Sequence, residues 1–421
     1  MLSIMRELKN TPRRASGELV HMIRSIVSIG TYAILKLNQD DSRLSPFNIS
    51  DDFQNTSLSL DQVHMLYREF AADRGITIVD EVMDNIFSET RGHAGLVNVC
   101  GVAMGSSLDN QPYGSVVDMN HWGSVRNTLL TRMGCYGTFQ MLVNVLTRVS
   151  EKQQSALHYY RLYFLGNPSD KTVMDDEHDD LAEYLAVLGV IYPDPAATRA
   201  FTIASPLMDS FIRQVIIPHA FPNAPNTPPP RRSNRTLDIL EIIRSSLVLF
   251  DKRFVNDAVT SSYKLAPVCV GAHTNNPVPR ESVYDSEMTR ICKNWLASSH
   301  GYQVIGQYHI GRLFCDIVIQ YDEQCVALEL MATGTGEQVK DHVERASKYM
   351  EALKATEGWV IHFTRQNDYL QNACWPVEAT FGQGINMVHI WHDQGFTDVR
   401  LSAKWKSEDG RMMTVENERV I

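Results

Sequence analysis

Apolar residues follow several distinct patterns along this chain. Residues 26–37, IVSIGTYAILKL, are almost continuously apolar, as expected of a strand buried on both faces of a parallel sheet. A loop with Ser45-Pro46-Phe47-Asn48 follows. From Ser59 to Phe70, and again from Val79 to Thr90, apolar residues recur at helical spacing. Arg91-Gly92-His93-Ala94-Gly95 breaks the pattern before a third helix at Leu96 to Met104. One strand followed by small helices predicts the tail of an α/β domain with a helical lid.

Residues 150–217 read as two helices, at Lys152 to Leu165 and His178 to Leu188. Two short strands follow, at Gly189 to Tyr192 and Ala200 to Ala204, and then a helix from Pro206 to Ile216. This is the order of a winged helix. The candidate recognition helix starts in the acidic run Asp175-Asp176-Glu177-His178-Asp179-Asp180, so packing suits it better than a DNA groove. The run from Pro218 to Arg232 is too rich in proline for a helix or central strand and predicts an extended linker. Its basic end, Arg231, Arg232 and Arg235, suits a phosphate contact or nuclear targeting. The expected divisions are therefore 1–140, 141–217, 218–235 and 236–421.

Beyond the linker and an amphipathic helix at Leu237 to Phe250, residues 284–363 alternate in the order α-β-β-β-α-β. The helices are Tyr284 to Ala297 and Glu337 to Leu353. The strands are Tyr302 to His309, Phe314 to Ile319, Cys325 to Leu330 and Trp359 to Phe363. Asp316 and Glu329 each stand in an otherwise apolar strand. A buried acid costs several kcal/mol unless paired or bound to a cation. Thirteen residues apart on strands joined by a short turn, the two can converge and hold Mg²⁺, with Glu287 of the preceding helix as a third acid. The alternative is an ordinary ion pair to Arg312 or Lys348.

Composition narrows the possibilities. At 421 residues and 47.6 kDa, with 44% hydrophobic and 21% charged residues, the chain has ordinary globular cores and room for two to four domains. No segment reaches the ~18 uninterrupted apolar residues of a membrane span. The start of the chain lacks the apolar core of a secretory signal. Seven singly spaced cysteines suit buried free thiols rather than a disulfide scaffold. A net charge of −10 opposes a polyanionic partner, and Glu281 to Arg365 carries 12 acidic and 8 basic residues. Phosphate binding here therefore needs a local patch or a metal. His389 and His392 lie on opposite faces of a strand, which argues against a zinc pair, and His362 reads as a satisfied core histidine.

Asp316 followed by Glu329-Leu330-Met331 resembles the PD-(D/E)XK nuclease superfamily, in the version found in fungal Crinkler-type effector proteins. The resemblance is closest over VALELMATGTGEQVKDHVERASKYMEALKATEGWVIHFT, Val326 to Thr364. It continues through Val388 to Asp393 and Phe396 to Arg400. In that family a P-loop ATPase with a lid and a winged helix precedes the nuclease domain. Ser25 to Asn48 resembles a late ATPase strand and its loop, and Arg91 to Gly95 the lid turn. The implied fold is a multidomain α/β and α+β chain: a restriction-endonuclease-like core preceded by an ATPase remnant and a winged helix.

Two departures stand out. No G-x-x-x-x-G-K-[ST] occurs, so no ATP is expected. The motif lysine is replaced by Met331, whose thioether neither activates water nor offsets phosphate charge. His342, Arg345 and Tyr349 share one face of the following helix, with Lys348 at its edge, and supply candidate substitutes. The resemblance thus implies metal at Asp316, Glu329, the Leu330 carbonyl and Glu287. Catalysis falls to Asp316, Glu329, His342 and Lys348, and DNA contacts to Arg312, Arg345 and Tyr349. Mg²⁺ or Mn²⁺ is the implied cofactor and DNA the implied partner. The ATPase remnant suits a protein partner or paralogue, no membrane is expected, and an intracellular, nuclear location is implied. A catalytically inactive binding module is the alternative.

Overall fold

The computed structural model describes residues 57–109, 111–166, 172–173, 178–194, 197, 199–377, 380–381 and 383–421. The expected strand at 26–37, the loop at 45–48 and the acidic run through Glu177 lie outside them. The chain forms two compact units, one within 171–204 and one built from 58–170 with 205–421.

The smaller unit holds the helix Asp179–Val187 and a three-stranded antiparallel sheet in which Ala200–Ile203 lies between Thr172–Val173 and Ile191–Pro193.

The larger unit opens with the helix Leu60–Arg74, started by a reciprocal capping box between Ser59 and Gln62. The helix Asp80–Thr90 ends where Arg91 and Gly92 turn left-handed, at φ 49° and 70°, as the expected break requires. Helices Ala94–Ser107, Met119–Met133, Gly137–Leu146 and Glu151–Tyr163 follow. The helix beginning at Pro206 runs beyond its expected end. It passes through a π turn at Ile212–Ile216 into Ile217–Ala220.

The proline-rich run begins inside this helix, at Pro218 to Ala220, against the expectation of no helix; from Phe221 to Pro230 it holds neither helix nor strand, and both of its flanks belong to the same unit. Trp295 donates its indole N–H to the Thr227 carbonyl at 2.6 Å. Arg290 holds the carbonyls of Phe221 and Asn223 at 3.1 and 3.0 Å. Arg232 forks onto Glu357 at 2.9 and 2.7 Å. Two of the three basic residues that suggested phosphate contacts are engaged within the fold, Arg231 with the Tyr302 hydroxyl and Arg232 with Glu357.

The expected α-β-β-β-α-β order is present and extended by three further strands. Helix α1, Glu281–Cys292, continues through a second π turn at Lys293–Ala297. Strands β1 (Gln303–Ile310), β2 (Leu313–Tyr321) and β3 (Gln324–Met331) form an antiparallel meander. Helix α2, Gly336–Leu353, crosses to β4 (Glu357–Thr364), which pairs parallel to β3 and to β5 (Ile385–His392). Strands β6 (Val399–Lys406) and β7 (Met412–Arg419) complete a seven-stranded sheet in the order β7-β6-β5-β4-β3-β2-β1. All eight residues of β4 are buried, which marks it as a central strand.

The two helices cover opposite faces. Tyr284 of α1 stacks on Phe363, at a centroid distance of 4.2 Å, whereas Val360, of opposite parity in β4, packs with Val339, Val343 and Ala346 of α2. At the β1 edge, the Asn127 amide exchanges hydrogen bonds with the His309 backbone at 3.0 and 2.8 Å, which closes an otherwise open sheet margin.

Candidate functional site

The ladder between β2 and β3 stops at Ile317 and Leu328. One step further the strands part, and the side chains at that step are Asp316 and Glu329. The Leu330 N–H, free of the ladder to β2, donates to Asp316 Oδ2 at 2.7 Å. Both carboxylates are buried, at 5% and 2% exposure. Asp316 and Glu329 thus occupy facing positions on neighbouring strands, one step beyond the last pair of the ladder.

Helix α1 adds two more acids, and they are not the one expected. Burial raises the pKa of Asp316 well above the ordinary carboxylate range, and the charges of Glu329, Asp285 and Glu281 raise it further. Asp285 is likewise raised, by burial, against the opposing pull of Arg213. Glu281 is raised by burial, while His342 beside it acts in the other direction. Glu287 lies elsewhere. It is fully buried among Arg161, at 2.5 Å, Arg290, at 2.7 Å, and the Asp251 N–H, at 2.7 Å. The correction follows from helical geometry: Glu281 and Asp285 are four apart and share a face, and Glu287 is rotated about 200° from Asp285.

Helix α2 brings an imidazole and a guanidinium to the same place. His342 Nδ1 lies 2.8 Å from Glu329 Oε1, and Arg345 Nη2 lies 3.3 Å from that oxygen. Neither is aligned for a hydrogen bond, so Glu329 Oε1 is buried beside two basic side chains but accepts no hydrogen bond from the described residues. Tyr349 is buried against Cys315, Val318 and Ala327, and its hydroxyl pKa is raised by burial and then by Glu329. Lys348 is exposed. Arg312, also exposed, pairs with Glu81 at 2.5 Å, so the structure engages it in an ion pair away from the strand acids. The alternative pairing of a strand acid with Arg312 or Lys348 is thus replaced by His342 and Arg345.

Met331 packs in the core under α2 with Val339, Val343, Ala346, Val360 and Met387. At the end of the same strand, Lys264 from the segment Tyr263–Leu265 places Nζ 3.5 Å from the Ala332 carbonyl. Burial lowers its pKa, and Glu281 acts against that shift. Sequence reasoning missed Lys264, whose distance along the chain hides its proximity. It also missed Glu281 and Asp285, for which the four-residue spacing was a readable signal.

His362 and His389, neighbours on β4 and β5, meet Nδ1 to Nδ1 at 3.1 Å. His389 Nε2 faces the Cys374 carbonyl at 3.0 Å, and His362 Nε2 is buried without a partner, so His362 is not fully satisfied. His392, on the other face, bonds the Tyr284 hydroxyl at 2.8 Å. The zinc pair is excluded by this geometry.

Among the described residues no three His, Cys, Asp or Glu side chains converge to hold a metal by themselves. The donors of the strand carboxylates are all oxygen, and one of them, Glu329 Oε1, is buried and accepts no hydrogen bond. That chemistry fits a hard divalent cation held by two carboxylates that keeps waters of its own.

No family model matches this chain, and no curated protein matches it. Among solved structures, it is similar to Can2 from Sulfobacillus thermosulfidooxidans in complex with cyclic tetra-adenylate (cA4). The two are 11% identical over 80% of this chain and 78% of that one, with a TM-score of 0.21. A likeness of that size establishes neither fold nor function. No helix among the described residues is long and apolar enough to cross a membrane.

Proposed function

We propose that this protein is a metal-dependent nuclease that hydrolyses phosphodiester bonds in DNA, with Asp316 and Glu329 as its metal-binding carboxylates. The observation that supports this most is the pair of buried acids at the parting of β2 and β3, one with an oxygen that accepts no hydrogen bond. Two buried like charges at such a point are unfavourable unless a cation joins them. Mg²⁺ or Mn²⁺, held by Asp316, Glu329 and the Leu330 carbonyl, would supply Lewis acidity at the phosphate. Arg345 and His342 face that position from α2 and would contact phosphate oxygens. Lys264 offers a further donor at the end of β3. Burial of the carboxylates keeps bulk water from screening these interactions.

The test is incubation of the full chain with plasmid and single-stranded DNA in Mg²⁺ or Mn²⁺, beside Asp316→Asn and Glu329→Gln. Cleavage by the unsubstituted protein that both variants lose supports the assignment, and equal cleavage by all three overturns it.

A second reading, a catalytically inactive nuclease fold that binds DNA or protein, is favoured by Met331, which core packing removes from the chemistry. Metal affinity without cleavage would support it. The resemblance to Crinkler-type proteins extends the proposal to the other segments. The small sheet within 171–204 suits the wing of a winged helix, and the helices from Leu60 to Leu146 suit an ATPase lid remnant that docks on a protein partner.

A further inference from the structure

Gln307 stands directly opposite Asp316 in the β1–β2 register, between the paired steps Gly306–Ile317 and Tyr308–Cys315. Its backbone is left-handed, at φ 50°, in the middle of a strand. A residue with a Cβ rarely adopts this conformation, and such strain gathers where a side chain has to be aimed. The structure shows what holds it there. Gln214, at the π turn Ile212–Ile216, clamps the Gly306 peptide with both ends of its amide. It donates to the carbonyl at 2.6 Å and accepts from the N–H at 3.1 Å. The approach is close: a Cβ at 306 would lie 3.1 Å from Thr289 Cγ2 and 3.4 Å from Gln214 Cδ, a tight fit that favours glycine. The strained backbone aims the Gln307 amide so that Nε2 lies 3.2 Å from Asp285 Oδ2 and 3.4 Å from Asp316 Oδ1.

We propose that Gln307 is a positioning residue for the cation site: its amide, shared between Asp285 and Asp316, holds the Asp316 carboxylate turned toward Glu329. This rests on the metal-dependent reading above. An uncharged donor between two buried acids offsets their mutual repulsion without occupying the space a cation needs. It also fixes one oxygen of Asp316, while the Leu330 N–H fixes the other. Hydrogen bonds that orient a ligand in this way typically contribute about 10–100-fold to metal affinity.

The test is Mn²⁺ binding to the full chain, read as loss of the free-ion electron paramagnetic resonance signal. Gln307→Met, near-isosteric but without donors, is compared with Gln307→Gly, which also relieves the backbone. Both should weaken Mn²⁺ binding about 10–100-fold, and Gln307→Gly should do so even where its melting temperature is higher. Gln214→Met should give a smaller loss in the same direction. Mn²⁺ affinity within twofold of the unsubstituted protein in both Gln307 variants would overturn the inference, provided Glu329→Gln abolishes binding. Absence of Mn²⁺ binding by the unsubstituted protein would instead overturn the metal reading, and this inference with it.

Discussion

The Leu330 N–H donates a 2.7 Å hydrogen bond to Asp316 Oδ2, so the backbone of one strand is tied to the acid of the next just where their ladder ends. That bond alone would favour the ionised carboxylate. Burial together with Glu329, Asp285 and Glu281 outweighs it, and the pKa of Asp316 is raised. Ionising the Asp316 carboxyl in the folded protein therefore costs stability, a cost that a bound cation would offset.

Asp316→Asn should stabilise the metal-free protein at neutral and higher pH. A carboxyl whose folded pKa is raised binds more protons folded than unfolded. Its stabilising contribution is full below its unfolded pKa, near 3.8, and is lost as pH rises to the folded value. The melting temperature of the variant should exceed that of the parent at pH 8, and the gap should narrow as pH falls toward 4. A lower melting temperature for the variant at pH 8 would refute this.

The buried histidines set the opposite slope. Burial pushes His389 down to about 3 and His392 down to about 4. A depressed base contributes stability that is full above its unfolded pKa, near 6.5, and is lost as pH falls toward the folded value. The loss is about 1.4 kcal/mol per pH unit for each group. His389→Gln and His392→Gln should each lose less stability than the parent between pH 7 and pH 5, measured by urea denaturation. An unchanged difference would show that these imidazoles take up their protons in the folded state.

Glu287→Gln separates structural from functional acids. Glu287 lies between Arg161 and Arg290, fully buried, and removing its charge leaves Arg290 without its carboxylate and Arg161 with Asp251 alone. The expected loss is about 3–5 kcal/mol of stability, the usual cost of breaking a buried pair. Mn²⁺ affinity of the folded variant should match the parent. Weakened Mn²⁺ binding at full stability would return Glu287 to the site.

Arg345→Ala should behave in the reverse manner. Its side chain is 44% exposed, so the pair with Glu329 contributes little to stability. Its proposed partner is the substrate phosphate. Nicking of plasmid DNA should fall about 100-fold, the scale of removing one donor aimed at developing charge, with the melting temperature nearly unchanged. Unaltered nicking would assign Arg345 to the helix surface.

Much of the carboxy-terminal architecture was legible in the sequence. Periodicity reports which way successive side chains point relative to their own element, and this is enough to order α-β-β-β-α-β and to flag Asp316 and Glu329 as acids in apolar strands. The same local rule, applied to Glu281, Asp285 and Glu287, separates the first two from the third. What periodicity cannot report is which elements touch. The pairing of Glu287 with Arg161, 126 residues away, the amine of Lys264 beside Ala332, and the clamp of Gln214 on Gly306 all join distant segments. Core packing of Met331, the left-handed Gln307 and the binding of the proline-rich run to α1 and β4 are likewise tertiary. In each, a local preference is overridden or completed by partners that only the folded chain brings within hydrogen-bond or van der Waals reach. The sequence by itself determined the order of elements and the presence of two strand acids, because both are properties of neighbouring residues. The tertiary structure alone decided which other groups surround those acids, because that depends on long-range packing.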